Sequence, residues 1–110
     1  MSLYWYKAKY IKAYDGDTVT VDIDLGFNTW MKDQTIRLYG IDTPELRGEE
    51  RERGLEVRDY IRRRLEGQDI CIKTYKDKKG KYGRWLAEIY IGEENLNDTL
   101  IEKEYAVVYS

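Results

Sequence analysis

The sequence predicts a β-rich α+β fold, in which a small curved sheet carries one longer helix and one short helix. Several segments alternate between apolar and polar residues with a period of two, as half-buried strands do. One segment repeats its apolar residues every four positions, as a helix does. The 110 residues suffice for one small domain and are too few for two. We therefore expect residues 1–110 to form a single domain.

The clearest strand lies just after a tight Asp15-Gly16 turn. Val19, Val21 and Ile23 share one face of this strand, and the residues between them are polar. Asp17 has the same parity as Val19, so its carboxylate is expected to point toward the core side of the sheet. The strand is followed by a connection over 25–33 that we expect to extend as a hairpin over one rim. The predicted strands of the sheet cover residues 3–14, 18–24, 34–41, 68–75 and 84–91.

The longer helix is predicted over 49–66, where Val57, Ile61 and Leu65 recur at every fourth position. Gly67 is placed to end it, since glycine readily adopts the left-handed conformation after a helix. A short second helix is predicted to begin near Asn97, a residue type that caps helices well.

The order of elements is three strands, the longer helix, two strands, the short helix and a closing strand over 105–109. This order suits a five-stranded OB-type Greek-key β-barrel with a helix plugging one end.

The composition removes several classes of site. Histidine is absent, which excludes Ser-His-Asp and Cys-His catalysis and zinc bound by histidine. The only cysteine, Cys71, has no partner for an intrachain disulfide. A net charge of −2 argues against binding nucleic acid by bulk electrostatics, but it leaves room for a local cationic site. No long apolar run predicts a membrane span, and nothing in the chain indicates its cellular location.

Five charged residues in three short segments are candidates for a catalytic site. Asp17, Asp42 and Glu45 offer oxygen ligands, which select Ca²⁺, Mg²⁺ or Mn²⁺ over zinc or copper. Arg37 and Arg84 offer planar guanidinium groups that match phosphate oxygens. Each residue taken singly has a plainer explanation as a turn residue, a cap, a solvated side chain or half of a surface ion pair.

The three segments occur in a characteristic order. Asp-Gly-Asp-Thr at 15–18 precedes Arg-Leu-Tyr-Gly-Ile-Asp-Thr-Pro-Glu at 37–45, and Tyr-Gly-Arg-Trp-Leu-Ala follows at 82–87. Together they resemble the staphylococcal-nuclease (thermonuclease) family across nearly the whole chain. The resemblance implies an OB-type barrel and hydrolysis of DNA or RNA as a monomer, with Ca²⁺ as the usual metal.

The resemblance also implies a role for each matching residue. Asp17 and Asp42 match direct metal ligands, and Thr43 would lend its backbone carbonyl. Glu45 matches the proposed general base, while Arg37 and Arg84 match the arginines that hold the scissile phosphate. The residues matched to substrate binding are Lys81 and Tyr82, which would contact a terminal phosphate, and Tyr109, which would supply part of a base-stacking platform.

Three departures from the family pattern lead to further expectations. The stretch between Asp17 and Arg37 is long, Glu104 stands where glycine is common, and the chain stops at Ser110, where a further helix would be expected. Glu104 therefore predicts a different turn, and the missing helix predicts weaker substrate binding.

Two other functional classes stay open. One is a catalytically inactive domain of this family that binds nucleic acid or a protein. The other is an unrelated OB-type binding module, which would leave the Asp-Thr-Pro-Glu run without an explanation.

Overall fold

The computed structural model describes residues 3–79 and 84–109, and its main feature is a closed barrel of five strands. The elements in chain order are β1 Leu3–Asp15, β2 Thr18–Gly26, β3 Thr29–Leu38, β4 Ile41–Asp42, a 3₁₀ turn Gly48–Glu50, α1 Arg51–Leu65, β5 Asp69–Lys79, β6 Trp85–Ile91, β7 Glu94–Asn95, α2 Leu96–Glu102 and β8 Val107–Val108.

Hydrogen-bonded pairing closes the barrel. Antiparallel pairs join β3 to β2, β2 to β1, β1 to β5 and β5 to β6, and a parallel pair between β3 and β6 completes the ring. This is the arrangement of an OB-type barrel, so the predicted fold class is confirmed. The two helices lie outside the sheet, and neither of the helices described here is long and apolar enough to cross a bilayer.

The core forms because the period of two sends alternate side chains of each strand inward. Val57, Ile61 and Leu65 of α1 are fully buried against these strands, as their spacing predicted. Each fully buried aliphatic side chain of this size contributes roughly 1.5–3 kcal/mol. The strand and α2 residues with no exposed surface are Val19, Val21, Ile36, Leu38, Ile72, Ala87, Ile89, Leu96 and Leu100.

The connection predicted over 25–33 is wrong in its length. β2 continues to Gly26 and β3 starts at Thr29, so only Phe27 and Asn28 remain as the turn. Both turn residues have positive φ angles of 54° and 59°, as a two-residue hairpin turn requires. Asp33, the last residue of the predicted connection, instead lies within β3 at φ 53°, where its N–H donates to Asp22 Oδ1 at 2.9 Å.

The start of the second helix also differs from the prediction. Asn95 is the N-cap, and its side chain accepts a hydrogen bond from the Asp98 N–H at 3.1 Å. Asn97 is buried instead: its Oδ1 accepts from the Ile89 N–H at 3.2 Å, and its Nδ2 donates to the Tyr39 carbonyl at 3.0 Å. Asn97 thus ties α2 to the barrel, a role that propensity cannot distinguish from capping.

The closing strand predicted over 105–109 is mostly absent. Only Val107–Val108 is extended, and β8 pairs with β4 as a separate two-stranded sheet rather than as a barrel strand. Glu104 precedes it at φ 62°, the left-handed conformation that glycine adopts easily. The expectation of a different turn at Glu104 is therefore not supported, because its backbone keeps the conformation a glycine would favour.

Candidate active site

Arg37 stands at the centre of the charged group predicted from the sequence. Its Nη1 donates hydrogen bonds to the carbonyls of Leu38 and Ile41, both at 2.8 Å. Gly40, with φ 80°, makes the turn that returns the chain so that the Ile41 carbonyl can be reached. The side chain is mostly buried, and its Nη2 is directed toward carboxylates. One half of this guanidinium is therefore committed to the backbone.

Asp17 and Asp42 both contact the other half of the Arg37 guanidinium. Nη2 lies 3.7 Å from Asp17 Oδ2 and 3.4 Å from Asp42 Oδ1. The backbone N–H of Thr43 donates to Asp17 Oδ2 at 3.2 Å, which ties the Asp-Thr-Pro-Glu run to the β1–β2 turn. Asp17 itself is buried, as its parity with Val19 predicted, although β2 begins one residue later.

A third carboxylate, Asp15, accepts a hydrogen bond from the Asp17 N–H at 3.1 Å. Burial raises the pKa of Asp15 to about 6, and the Asp17 side chain acts in the same direction through a hydrogen bond and its charge, whereas the Asp17 backbone N–H opposes the rise. The pKa of Asp42 is also raised, first by burial and then by the charge of Asp17, although Arg37 opposes this. Two carboxylates thus share one guanidinium, and a third, that of Asp15, lies beside Asp17, an arrangement that favours a further cation.

Arg84 reaches the same rim of the barrel. Its Nη1 is 3.4 Å from Thr18 Oγ1, and Thr18 in turn donates to Asp17 Oδ1 at 3.3 Å. Thr18 is also the cross-strand partner of Arg37. The parallel pairing of β3 with β6 explains this placement, because it aligns Arg37 with Leu86 and brings the start of β6 beside the end of β3. The contacts form a continuous path from Arg84 through Thr18, Asp17 and Arg37 to Asp42.

Glu45 stands apart from this path. Its side chain is 66% exposed, and Oε2 lies 3.5 Å from the Nε of the exposed Arg47. Its backbone N–H donates to Glu50 Oε1 at 3.0 Å, which holds the loop against the start of α1. Glu45 lines one cleft of about 380 Å³ together with Asp42 and Thr43. The carboxylate thus borders the cleft without contacting Arg37 in this conformation.

Of the three predicted substrate-binding residues, only Tyr109 is described by the structure. Its ring centroid lies 5.7 Å from Arg37 Cζ, close enough for a cation–π contact. Its backbone N–H donates to the Gly40 carbonyl at 2.9 Å, which fixes the end of the chain beside the site. Lys81 and Tyr82 lie outside the described residues.

Two glycines that position the site were missed by the sequence analysis. A Cβ on Gly54 of α1 would collide with the Glu45 carbonyl oxygen. A Cβ on Gly16 would meet a side-chain carbon of Val57 at 2.6 Å and Thr43 Oγ1 at 2.9 Å. Only glycine therefore lets the 43–45 loop pack closely on α1 and on the β1–β2 turn. The available signal was Gly54 itself, since glycine inside a helix is unfavourable without such a reason.

The donor groups of the site suit a hard divalent cation. Asp17 and Asp42 supply carboxylate oxygens. Thr43 follows Asp42 in the chain, and its backbone N–H is hydrogen-bonded to Asp17. In the described ranges 3–79 and 84–109, no three acidic or cysteine side chains come together as a complete cage. A cation that keeps several water ligands, as Mg²⁺ usually does and Ca²⁺ often does, fits such a partial donor set.

Comparison with known proteins gives consistent similarities. The family model described as staphylococcal nuclease homologue matches residues 35–110. The chain is 35% identical over 101 residues to a thermonuclease of Staphylococcus hyicus, a match that covers 89% of this chain and 56% of that protein. It is 30% identical over 98 residues to a thermonuclease of Staphylococcus intermedius, covering 86% of this chain and 55% of that protein.

An archaeal relative extends the similarity. An uncharacterized protein of Methanocaldococcus jannaschii is 30% identical over 129 residues, covering 94% of this chain and 59% of that protein. The chain therefore spans little more than half the length of each of these relatives.

Proposed function

Since the chain belongs to the family of staphylococcal nuclease homologues, we propose that it is a metal-dependent nuclease that hydrolyses phosphodiester bonds of DNA, RNA or both. We also propose that it acts as a monomer. The observation that carries this proposal is the path of contacts linking Arg84, Thr18, Asp17, Arg37 and Asp42 at one rim of the barrel. Two guanidinium groups beside crowded carboxylates are the groups that a phosphate bound with a cation requires.

The proposed cation is Ca²⁺, with Mg²⁺ or Mn²⁺ as alternatives of similar ligand preference. Asp17 and Asp42 would hold it, and Thr43 would add its backbone carbonyl. Its support is the convergence of the Asp17 and Asp42 carboxylates on Arg37 Nη2 and the hydrogen bond that holds Thr43 to Asp17. When bound, the cation would neutralise phosphate charge and make a bound water a better nucleophile.

The protein groups would then divide the chemistry. The Nη2 edge of Arg37 and the guanidinium of Arg84 bind phosphate oxygens and stabilise the additional negative charge of the pentacoordinate transition state. A water attacks phosphorus, Glu45 accepts its proton, and one P–O ester bond breaks, its oxygen leaving with the bonding electrons and taking up a proton from solvent. Glu45 must leave Arg47 to do so, and the exposure of both side chains makes that exchange inexpensive.

The remaining candidate residues concern the substrate. Tyr109, beside Arg37, offers an exposed ring on which a base next to the scissile phosphate stacks. Lys81 and Tyr82 are proposed to contact a terminal phosphate, and this part of the proposal rests on their position in the sequence motif.

The test is cleavage of labelled single-stranded DNA and RNA with Ca²⁺, Mg²⁺, Mn²⁺ or chelator. Wild type is expected to cut in at least one metal and to be inactive with chelator. Arg84→Lys keeps the charge but loses the planar fork, so turnover should fall roughly a hundred- to thousand-fold. Binding of the single strand should change far less, because lysine still attracts the backbone. Arg63→Lys on the exposed side of α1 is the matched control and should leave both quantities unchanged.

The alternative is a catalytically inactive domain that binds nucleic acid or a protein. It is favoured by one observation, the exposed Glu45 carboxylate paired with Arg47 rather than with the site. Glu45→Gln separates the two, because it should abolish most cleavage in an enzyme and change nothing measurable in a binding domain. Wild-type protein that leaves every substrate uncut in every metal would refute the nuclease.

A further inference from the structure

The outer surface of the barrel beside Arg37 carries a row of aromatic rings. Ile36 and Leu38 are fully buried, so the alternation of β3 places Arg37 on its outer side, and the partly exposed Tyr39 follows directly after the strand. In the same way, the buried Ala87 and Ile89 place Glu88 and Tyr90 on the outer side of β6. Lys73 and Tyr75 share the outer side of β5, since Ile72, which directly precedes Lys73, is buried on the inner side.

The first pair of rings begins next to the proposed phosphate site. Tyr39 lies two residues beyond Arg37, and its ring centroid is 4.0 Å from that of Tyr75 at an interplanar angle of 31°. The Tyr75 hydroxyl donates to Glu88 Oε1 at 2.6 Å, which fixes the pair against β6. Tyr39 remains 37% exposed, so part of its ring is accessible to a ligand.

A second pair lies further across the same surface. The ring centroids of Trp5 and Tyr90 are 4.9 Å apart, and Lys73 Nζ is 5.6 Å from the Trp5 ring. Trp5 is paired with Lys73 across β1 and β5, and Lys73 with Glu88 across β5 and β6. The two pairs of rings are therefore joined through Lys73 and Glu88. Trp5 is 55% exposed, a large fraction for an indole.

The charges along this surface are compatible with a polyanion. Glu88 receives hydrogen bonds from Tyr75 and Asn95, and Lys73 lies 3.8 Å from it, so its carboxylate is neutralised locally. Packing between strands alone would account for the tilted ring contacts. It does not account for an indole left more than half exposed on the surface that continues from Arg37.

We propose that the aromatic row formed by Tyr39, Tyr75, Tyr90 and Trp5 binds the unpaired bases of a single-stranded nucleic acid whose phosphate lies at Arg37 and Arg84. The inference rests on the proposed function, because it places one phosphate of the strand at that site. Aromatic faces stack on any base, and the local neutralisation of Glu88 by Lys73 leaves little repulsion for the intervening backbone. A duplex cannot use the row, since its bases already stack on one another.

The experiment measures binding of labelled oligo-dT of three and twelve nucleotides by anisotropy, with Ca²⁺ and in a Glu45→Gln background that keeps the strand intact. Adding Trp5→Ala should weaken binding of the 12-mer roughly 5- to 100-fold, the usual range for losing one stacked base. It should leave the affinity for the 3-mer unchanged.

Trp5→Phe should retain most of the affinity for the 12-mer, which separates stacking from misfolding. Phe27→Ala is the control, since Phe27 is fully exposed in the hairpin turn.

The outcomes distinguish the aromatic row from the nuclease proposal. The proposal of an aromatic row is overturned if Trp5→Ala binds the 12-mer as tightly as the Glu45→Gln background does. It is also overturned if Phe27→Ala weakens binding by the same factor. A 12-base-pair duplex that depends equally on Trp5 also overturns it. Cleavage with Trp5→Ala as the only change should show a raised KM with unchanged kcat for the 12-mer. Loss of cleavage in every metal, with Trp5-dependent binding retained, would refute the nuclease and keep the row.

Discussion

At the scale of single residues, Arg37 combines a structural and a proposed chemical role. Its Nη1 closes the turn between β3 and β4 by bonding two carbonyls, and its Nη2 faces Asp17 and Asp42. A motif reveals the residue type but not this division, because the carbonyl partners come from the folded turn. The guanidinium is therefore held in position before any substrate arrives, which lowers the cost of ordering it.

Replacing Arg37 tests the structural half of this role. Arg37→Lys loses both carbonyl hydrogen bonds, because one ammonium group cannot reproduce the planar fork. We expect the free energy of unfolding to fall by about 2 kcal/mol, measured by urea denaturation with chelator present. The exposed Arg63→Lys should stay within about 0.5 kcal/mol of wild type. Equal stability of the two variants would show that the carbonyl bonds contribute little.

At the scale of elements, the contact between α1 and the 43–45 loop fixes the proposed base. Gly54 allows the Glu45 carbonyl to approach the helix backbone, and Glu50 accepts a hydrogen bond from the Glu45 N–H. The position of α1 itself was predictable, because Val57, Ile61 and Leu65 carry a strong helical period. The close approach was not, since no local pattern shows what packs against a glycine.

Substitution of Gly54 therefore has an unusual expected sign. Glycine to alanine inside a helix normally stabilises by roughly 0.5–1 kcal/mol. Gly54→Ala should instead destabilise by about 1–3 kcal/mol, because its Cβ forces the loop away. It should also slow cleavage by displacing Glu45. Thermal and urea unfolding measure the change in stability, with the exposed Glu52→Ala as the control. A Gly54→Ala variant more stable than wild type would contradict the close contact between the helix and the Glu45 carbonyl.

At the scale of the whole molecule, the sequence predicted the barrel better than its boundaries. Strict alternation identifies the strands, since burial on one face leaves a direct mark on sequence. The short hairpin was not predicted because Phe27 is an unusual residue for a positive φ. Asn97 was wrongly predicted as a cap because asparagine serves both as a helix cap and as a buried hydrogen-bonding amide. The site residues matched a motif, whereas their contacts depend on strand pairing between distant segments.

The ion pair of Arg64 with Glu94 joins α1 to β7, and it gives stability a pH dependence. Arg64 Nη1 and Thr99 Oγ1 donate to Glu94 Oε2 at 3.0 and 2.7 Å. The Arg64 hydrogen bond, followed by that of Thr99, lowers the pKa of Glu94 from its usual 4.5. Because the folded state then favours the charged form, this contribution is present above pH 4.5 and is lost as pH falls through the lowered pKa.

Glu94→Gln should therefore cost about 1 kcal/mol at pH 7 and progressively less below pH 4.5. Urea unfolding across this pH range measures the difference from wild type. The exposed neighbour Glu93→Gln supplies the control and should show no comparable cost at pH 7. A Glu94→Gln deficit that persists unchanged at the acid end would indicate lost packing instead of lost charge.

The parallel pairing of β3 with β6 has a consequence for how the chain would acquire its proposed activity. Arg37 lies in β3 and Arg84 directly precedes β6, so these two distant segments meet only at this seam, whereas Asp17 and Arg37 meet through the local β2–β3 hairpin. Non-local parallel contacts form late, because a long loop must be closed before they contribute. A partly folded chain can thus assemble the acidic half of the site without its second arginine. During synthesis, the proposed nuclease would therefore not cleave nearby nucleic acid until the ring of barrel strands is complete.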